Sequence, residues 1–161
     1  MSEILCQGMG KESVVTDLCV KTADIQLPNI NKDDLAVISM PVFAGRVPAL
    51  AVERLRMVKP NGAKCVVVAV FGNRAYDDAL LEIQDVTSEM GFRVIAAVGA
   101  VAEHSIIRRY GNGRPDAVDE QTLRRFGADI LGKAEGSVCS LPAVPGNRPY
   151  KKGGKVPHPK G

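Results

Sequence analysis

The sequence predicts a doubly wound α/β fold, and three observations carry that expectation. The runs Leu35–Met40, Cys65–Phe71 and Phe92–Ala102 are continuously apolar rather than alternating, as strands buried on both faces of a parallel sheet must be. Each run is followed by a stretch of helical periodicity. The runs begin at Leu35, Cys65 and Phe92, close to the roughly 30-residue length of a βαβ unit, whose crossover is right-handed.

Taken in order, the elements have local signals. Ile4, Leu5 and Met9 lie near one face before Gly8 and Gly10 break the pattern, so Met1–Gly8 reads as the end of a helix. Ser13–Val20 (SVVTDLCV) reads as a strand. After the first long run, Pro48 suits the first position of a helix whose stripe is Ala51, Val52, Leu55 and Val58, with Pro60 as its stop. After the second, Asp77 is the expected cap of a helix carrying Leu80, Ile83, Val86 and Met90, ended by Gly91. After the third, Asp116 caps a helix carrying Leu123, Phe126, Ile130 and Ala134.

Composition narrows the class. The chain has 161 residues, 45% hydrophobic and 24% charged, enough for one domain with a sizeable core and too apolar for disorder. No apolar run approaches the ~18 residues of a membrane span. The start lacks the basic-then-apolar order of a secretory signal, so a cytoplasmic location is expected. The net charge is +3, yet Leu141–Gly161 holds five basic residues, no acidic ones and five of the ten prolines. The body, residues 1–140, is therefore slightly acidic, and 141–161 reads as an extended basic Pro/Gly-rich linker or tail. A basic body that coats nucleic acid is excluded. Cys6, Cys19, Cys65 and Cys139 contain no C-x-x-C pair, so no iron–sulfur or zinc site is expected within this chain. Cys19 and Cys65 sit in apolar runs and read as inert core thiols in a reducing compartment.

In an open α/β sheet, ligands bind beyond the carboxyl ends of the strands. The loop there after the first run is Pro41-Val42-Phe43-Ala44-Gly45-Arg46-Val47-Pro48. Its prolines stiffen it, Gly45 permits a positive φ, and Phe43 offers a flat apolar face. After the second run comes Gly72-Asn73-Arg74-Ala75-Tyr76-Asp77-Asp78, with a second ring in Tyr76. Two such loops can hold a planar heteroaromatic ligand between them; they are equally two ordinary βα turns with locally packed rings. After the third run, Glu103 and His104 are either an acid–base pair or separate groups, since neighbours on an extended chain face opposite ways. The phosphate-cradling G-x-x-x-x-G-K-[ST], the dinucleotide G-x-G-x-x-G and the hydrolase G-x-S-x-G are all absent. Asp33-Asp34 precede their strand, at the wrong end for a metal or phosphoacceptor cluster.

Several motifs in order, D-D-L-A-V-I-S-M-P-V-F-A-G-R-V-P (33–48), V-F-G-N-R-A-Y-D-D-A-L (70–80), A-E-H-S-I (102–106), G-R-P-D (113–116) and V-P-G-N-R-P-Y-K (144–151), span nearly the whole chain. Together they resemble the flavodoxin-type domain of prokaryotic flavodoxin–ferredoxin fusion proteins. The resemblance implies a flavodoxin-like doubly wound parallel sheet that binds FMN noncovalently. Pro41, Val42, Phe43, Ala44, Gly45 and Arg46 would contact the isoalloxazine, with Phe43 where the family usually has tyrosine. Gly72, Asn73, Arg74, Tyr76 and Asp78 would hold its other side and polar edge, and Glu103 and His104 would line the crevice. It also implies electron transfer to an iron–sulfur (ferredoxin) partner.

The chain departs from that pattern in two places. It has no T-G-x-[ST]-type phosphate loop, so Met1–Gly10 corresponds to the end of the family's first helix, and the first strand is missing. It also stops before the family's cysteine motifs. A fragment of a longer protein is the favoured expectation; the alternatives are that strand 13–20 moves inward or that a partner chain supplies the pairing. FMN affinity is expected to be weak or absent. Two other functions are a cofactor-free module whose basic tail docks an acidic redox partner, and an FMN-dependent reductase of small acceptors.

Overall fold

The computed structural model describes residues 1–136 and 140–152. Among them, three parallel strands form one sheet in the order β1 (Leu35–Pro41), β2 (Lys64–Phe71), β3 (Arg93–Val101). Four α-helices flank it: α1 (Ser2–Met9), α2 (Ala49–Leu55), α3 (Ala79–Met90) and α4 (Ala117–Glu135). A single 3-10 turn spans Thr22–Asp24. No helix is long and apolar enough to cross a membrane among the described residues.

β2 is the centre of the molecule. Cys65, Val67 and Ala69 face the layer of α2 and α3, where they join Leu55, Leu80, Ile83 and Val86. Val66 and Val68 face the layer of α1 and α4, with Leu5, Met9, Leu123 and Ile130. All five β2 side chains are at most 1% exposed, which is why this run carries no polar alternation. The pairing with β3 slips once: Cys65 lies opposite Val94 but Val66 opposite Ala96, leaving Ile95 as an extra residue.

The predicted starts and stops shift by a residue or more. Pro48 is the residue before α2 rather than inside it, and its carbonyl accepts from the Ala51 and Val52 amides (3.0 and 3.2 Å). α2 ends at Leu55, well before Pro60, and a tight turn then carries Val58 into the core. α3 starts after Asp78, because Asp77 has φ 43° and cannot lead into a right-handed helix. Gly91 (φ 101°) ends α3 as expected. Asp116 caps α4 as expected, accepting from Val118 and Asp119 (both 2.9 Å) while Asp119 bonds back. Phe126 lies at the rim of the α4 stripe, half exposed.

Two sequence readings are corrected. Ser13–Val20 forms no strand, so it does not move inward beside β1; Val14 is 92% exposed. Asp17 accepts from the Cys19 amide (2.7 Å), an Asx turn that takes the backbone out of extended pairing. Among the described residues β1 pairs with β2 alone. Cys19 is exposed rather than buried, for the same reason. Cys65 is a core thiol as predicted, and burial pushes its pKa up to about 12. Cys139, Lys155, His158 and Lys160 lie outside the described residues.

Residues 140–152 have no regular secondary structure, yet they lie along α3 as a strap. Val144 packs against the α2–α3 side of the core, and Gln84 Nε2 donates to the Pro142 carbonyl (2.7 Å). Arg148 forks onto Asp85 (2.8 and 2.5 Å), and the Tyr150 hydroxyl donates to the same carboxylate (2.5 Å). Farther up the helix, Asp78 accepts from the amides of Asn147 (2.8 Å) and Lys151 (2.6 Å).

These contacts generate two predictions. Helices α1 and α4 touch through Gly8 and Gly127; a Cβ on Gly127 would overlap the Leu5 carbonyl of α1. Gly127→Ala is expected to force the helices apart and lower stability by about 1–3 kcal/mol in a denaturant melt, despite the better helix propensity of alanine. The second concerns acid. The Lys151 and Asn147 amides hold Asp78 below the ordinary carboxylate value, and Arg148, then Tyr150, hold Asp85 there. Groups depressed in this way stabilise fully above an unfolded pKa of about 3.9, and the contribution fades as pH falls through their lowered values. Thermal melts are therefore expected to drop below about pH 4, with Asp85→Asn removing part of that acid limb; a Tm unmoved by acid would contradict this.

Candidate functional site

All three strands run the same way, so the loops after β1, β2 and β3 gather at one end of the sheet. In the first, Pro41 is still the last residue of β1, and the Val42 amide donates to Val70 (2.9 Å), with Val42 packed on the core. Phe43 and Arg46 then exchange backbone hydrogen bonds of 2.9 and 3.1 Å. They close a two-residue turn on Ala44 (φ 51°) and Gly45 (φ 79°), both left-handed as in a type I′ turn. A Cβ on Gly45 would strike the Asp77 side chain, so glycine is required there twice over.

This turn sends its flanking side chains in different directions. Phe43 is 52% exposed, its ring open to solvent. Arg46 turns inward: Nε and Nη2 meet the two oxygens of Glu82 (2.7 and 2.6 Å), and Glu82 also accepts from the Val47 amide (3.1 Å). The Glu82 side chain is only 11% exposed, so this is a largely desolvated, forked pair. Arg46 also donates to the Lys151 carbonyl (2.9 Å) and lies 4.7 Å from the Tyr150 ring centre.

The second loop is bent by Asn73 (φ 54°) and Asp77 (φ 43°). Its Asp78 amide donates to the Gly45 carbonyl (3.1 Å), joining it to the first loop. Among the described residues, the amides of Asn73, Arg74 and Ala75 donate to no protein group, and the exposed Arg74 side chain makes no hydrogen bond or ion pair. These are available donors. Tyr76 is half-buried, edge-on to Phe71 (5.1 Å, 76°), so its ring serves packing as well as the crevice.

The third loop comes against the second at Gly72, where a Cβ would fall 2.7 Å from His104 Cα. Glu103 and His104 do not pair with each other. Glu103 accepts from the Gly113 amide (3.2 Å) and faces Arg108 (3.7 Å). His104 Nδ1 accepts from the amides of Ile106 and Ile107 (3.1 Å each), which fixes the proton of the neutral ring on Nε2.

The sequence-predicted residues thus divide. Phe43, Ala44, Gly72, Asn73, Arg74 and His104 stand at the crest of the three loops. Arg46 and Asp78 are turned toward α3 and the strap. Three participants are not assigned to the site from sequence: Glu82, and Asn147 and Lys151, which lie in the V-P-G-N-R-P-Y-K motif. The only hint for Glu82 is a carboxylate inside the apolar opening A-L-L-E-I of α3. Tyr110, tilted beside His104 at 6.3 Å, is a third ring at the crest.

An aromatic face, free amides and an imidazole N–H suit the edge and plane of a flavin ring. Its phosphate fares differently. α2 opens behind Pro48, and α3 and α4 open at Asp78 and Asp116. At α4 the Asp116 carboxylate takes the first helical amides itself, and at α3 the buried Asp78 places a negative charge beside the helix start while its oxygens bond the strap. Among the described residues, the loops at this end of the sheet offer groups that suit the ring, while the starts of α3 and α4 carry acidic residues unfavourable to a phosphate.

No protein-family model and no curated protein matches the chain. Among solved structures it is similar to a flavodoxin from the domain Archaea, with a TM-score of 0.53 and 17% identity over 84% of this chain and 88% of that one. Rubredoxin:oxygen oxidoreductase from Desulfovibrio gigas overlaps it with a TM-score of 0.42 and 14% identity, over 63% of this chain and 24% of that one. The first likeness agrees with the parallel sheet between two helical layers: the chain has a flavodoxin-like α/β fold.

Proposed function

We propose that this chain is a flavodoxin-like electron-transfer domain that holds the ring of FMN at the carboxyl end of its sheet and passes electrons to an iron–sulfur partner. The observation that carries the reading is the crest itself: an open Phe43 ring beside unpaired amides at 73–75 and the free Nε2–H of His104. The archaeal likeness supports the fold side of it, and the motif resemblance to flavodoxin–ferredoxin fusion proteins supports the partner.

Bound FMN would supply the electron chemistry, taking up and releasing electrons through its ring system. The protein's part is binding and polarity. Phe43 offers a stacking face, and the amides of Asn73, Arg74 and Ala75 offer donors for ring nitrogens and carbonyls. His104, oriented through Nδ1 by two backbone amides, keeps Nε2–H as a further donor. Arg74 adds an uncompensated positive charge at the rim.

A fluorescence titration tests this. Protein is expected to quench free FMN, and Phe43→Ala to weaken binding about tenfold, the order of one aromatic stacking contact. Because the helix starts carry carboxylates, riboflavin is expected to bind within about threefold of FMN, its phosphate gaining little here. Unquenched flavin at saturating protein would end the proposal.

A further inference from the structure

The strap does more than cover α3. It ends on the two loops that form the crest, and one residue meets both. The Lys151 carbonyl accepts from Arg46 of the first loop (2.9 Å). Its amide donates to Asp78 (2.6 Å) and its Nζ to Asp77 (2.7 Å), both of the second. We infer that the strap is the element that fixes these loops relative to one another, with Asp78 as a positioning residue for the flavin site and not a ligand contact.

Asp78 itself supplies an independent observation. It occupies the position before α3 where an aspartate ordinarily accepts from the first helical amides, yet its side chain makes no such capping bond. Its carboxylate is spent on the strap instead: the Asn147 amide at 2.8 Å, the Asn147 side-chain amide at 3.3 Å and the Lys151 amide at 2.6 Å. The residue is buried, so these oxygens are not shared with solvent. Its own amide still reaches Gly45 of the first loop.

The loops need such support. Ala44, Asn73 and Asp77 all sit at positive φ without being glycine. Such a conformation is strained in a residue with a Cβ and persists only where the surroundings hold it. The strap is anchored for this at a second point, two helical turns down α3, where Arg148 and Tyr150 share Asp85. Releasing that lower anchor changes no residue of the crest.

The test uses Arg148→Ala combined with Tyr150→Phe in the full chain. Hydrogen exchange reports the strap through the Asn147 and Lys151 amides, and the loops through the Phe43, Arg46 and Asp78 amides. Both sets are expected to exchange faster together, with FMN affinity falling about tenfold and the bound-flavin absorbance moving toward that of free FMN. If the lower anchor alone leaves the strap protected, Gly146→Val displaces it, since even a Cβ there would lie 2.7 Å from Leu81 Cβ. Fast strap exchange with unchanged loop amides overturns the inference, as does loosened binding loops with unaltered FMN affinity. The inference rests on the flavin reading only in its binding arm. A wild-type chain that ignores FMN defeats that reading, while loop exchange that still follows the strap upholds the coupling.

Discussion

The arrangement depends on the burial of β2 from both sides. Its backbone is paired with a strand on each flank, and its central side chains meet helices above and below. Nothing polar can converge on such a strand except at its ends. The carboxyl end is where the connecting loops must turn back toward helices, so open amides, left-handed residues and an exposed ring collect there. The site follows from the sheet's burial before any single side chain is considered.

The strands and helices were legible because they obey periodicities that burial imposes locally. The three apolar runs match β1, β2 and β3 to within a residue or two, and the capping signals at Asp116 and Gly91 hold. Ser13–Val20 misleads for a physical reason. Strand propensity describes how side chains suit a pleated surface, and Ser13–Val20 pairs with no strand among the described residues. Asp17 then settles the backbone into a local turn. Asp77 and Asp78 could not be told apart as caps, because the choice was made by the positive φ of Asp77, whose side chain lies where only a glycine at position 45 leaves room.

The crest was half legible. Phe43, Asn73 and His104 could be placed on loops by counting from the strands. The inward turn of Arg46 could not, since it is dictated by Glu82 and by a carbonyl more than a hundred positions away in sequence. Composition assigned residues 141–161 to an extended segment, and the described part, 141–152, has no helix or strand. Composition says nothing about docking, however: an irregular backbone can be held as firmly as a helix when carboxylates on a rigid neighbour receive its donors.

The Gly8–Gly127 contact also constrains when the molecule can take shape. It joins α1 to α4, and the apolar face of α1, carrying Leu5 and Met9, is completed by Leu123 and Ile130 of α4. A ribosome delivers α1 more than a hundred residues before its partner. Through that interval the apolar face of α1 awaits α4, and closing so long a loop carries an entropic cost that local contacts do not. This layer is therefore completed only once α4 has emerged, however early α1 does.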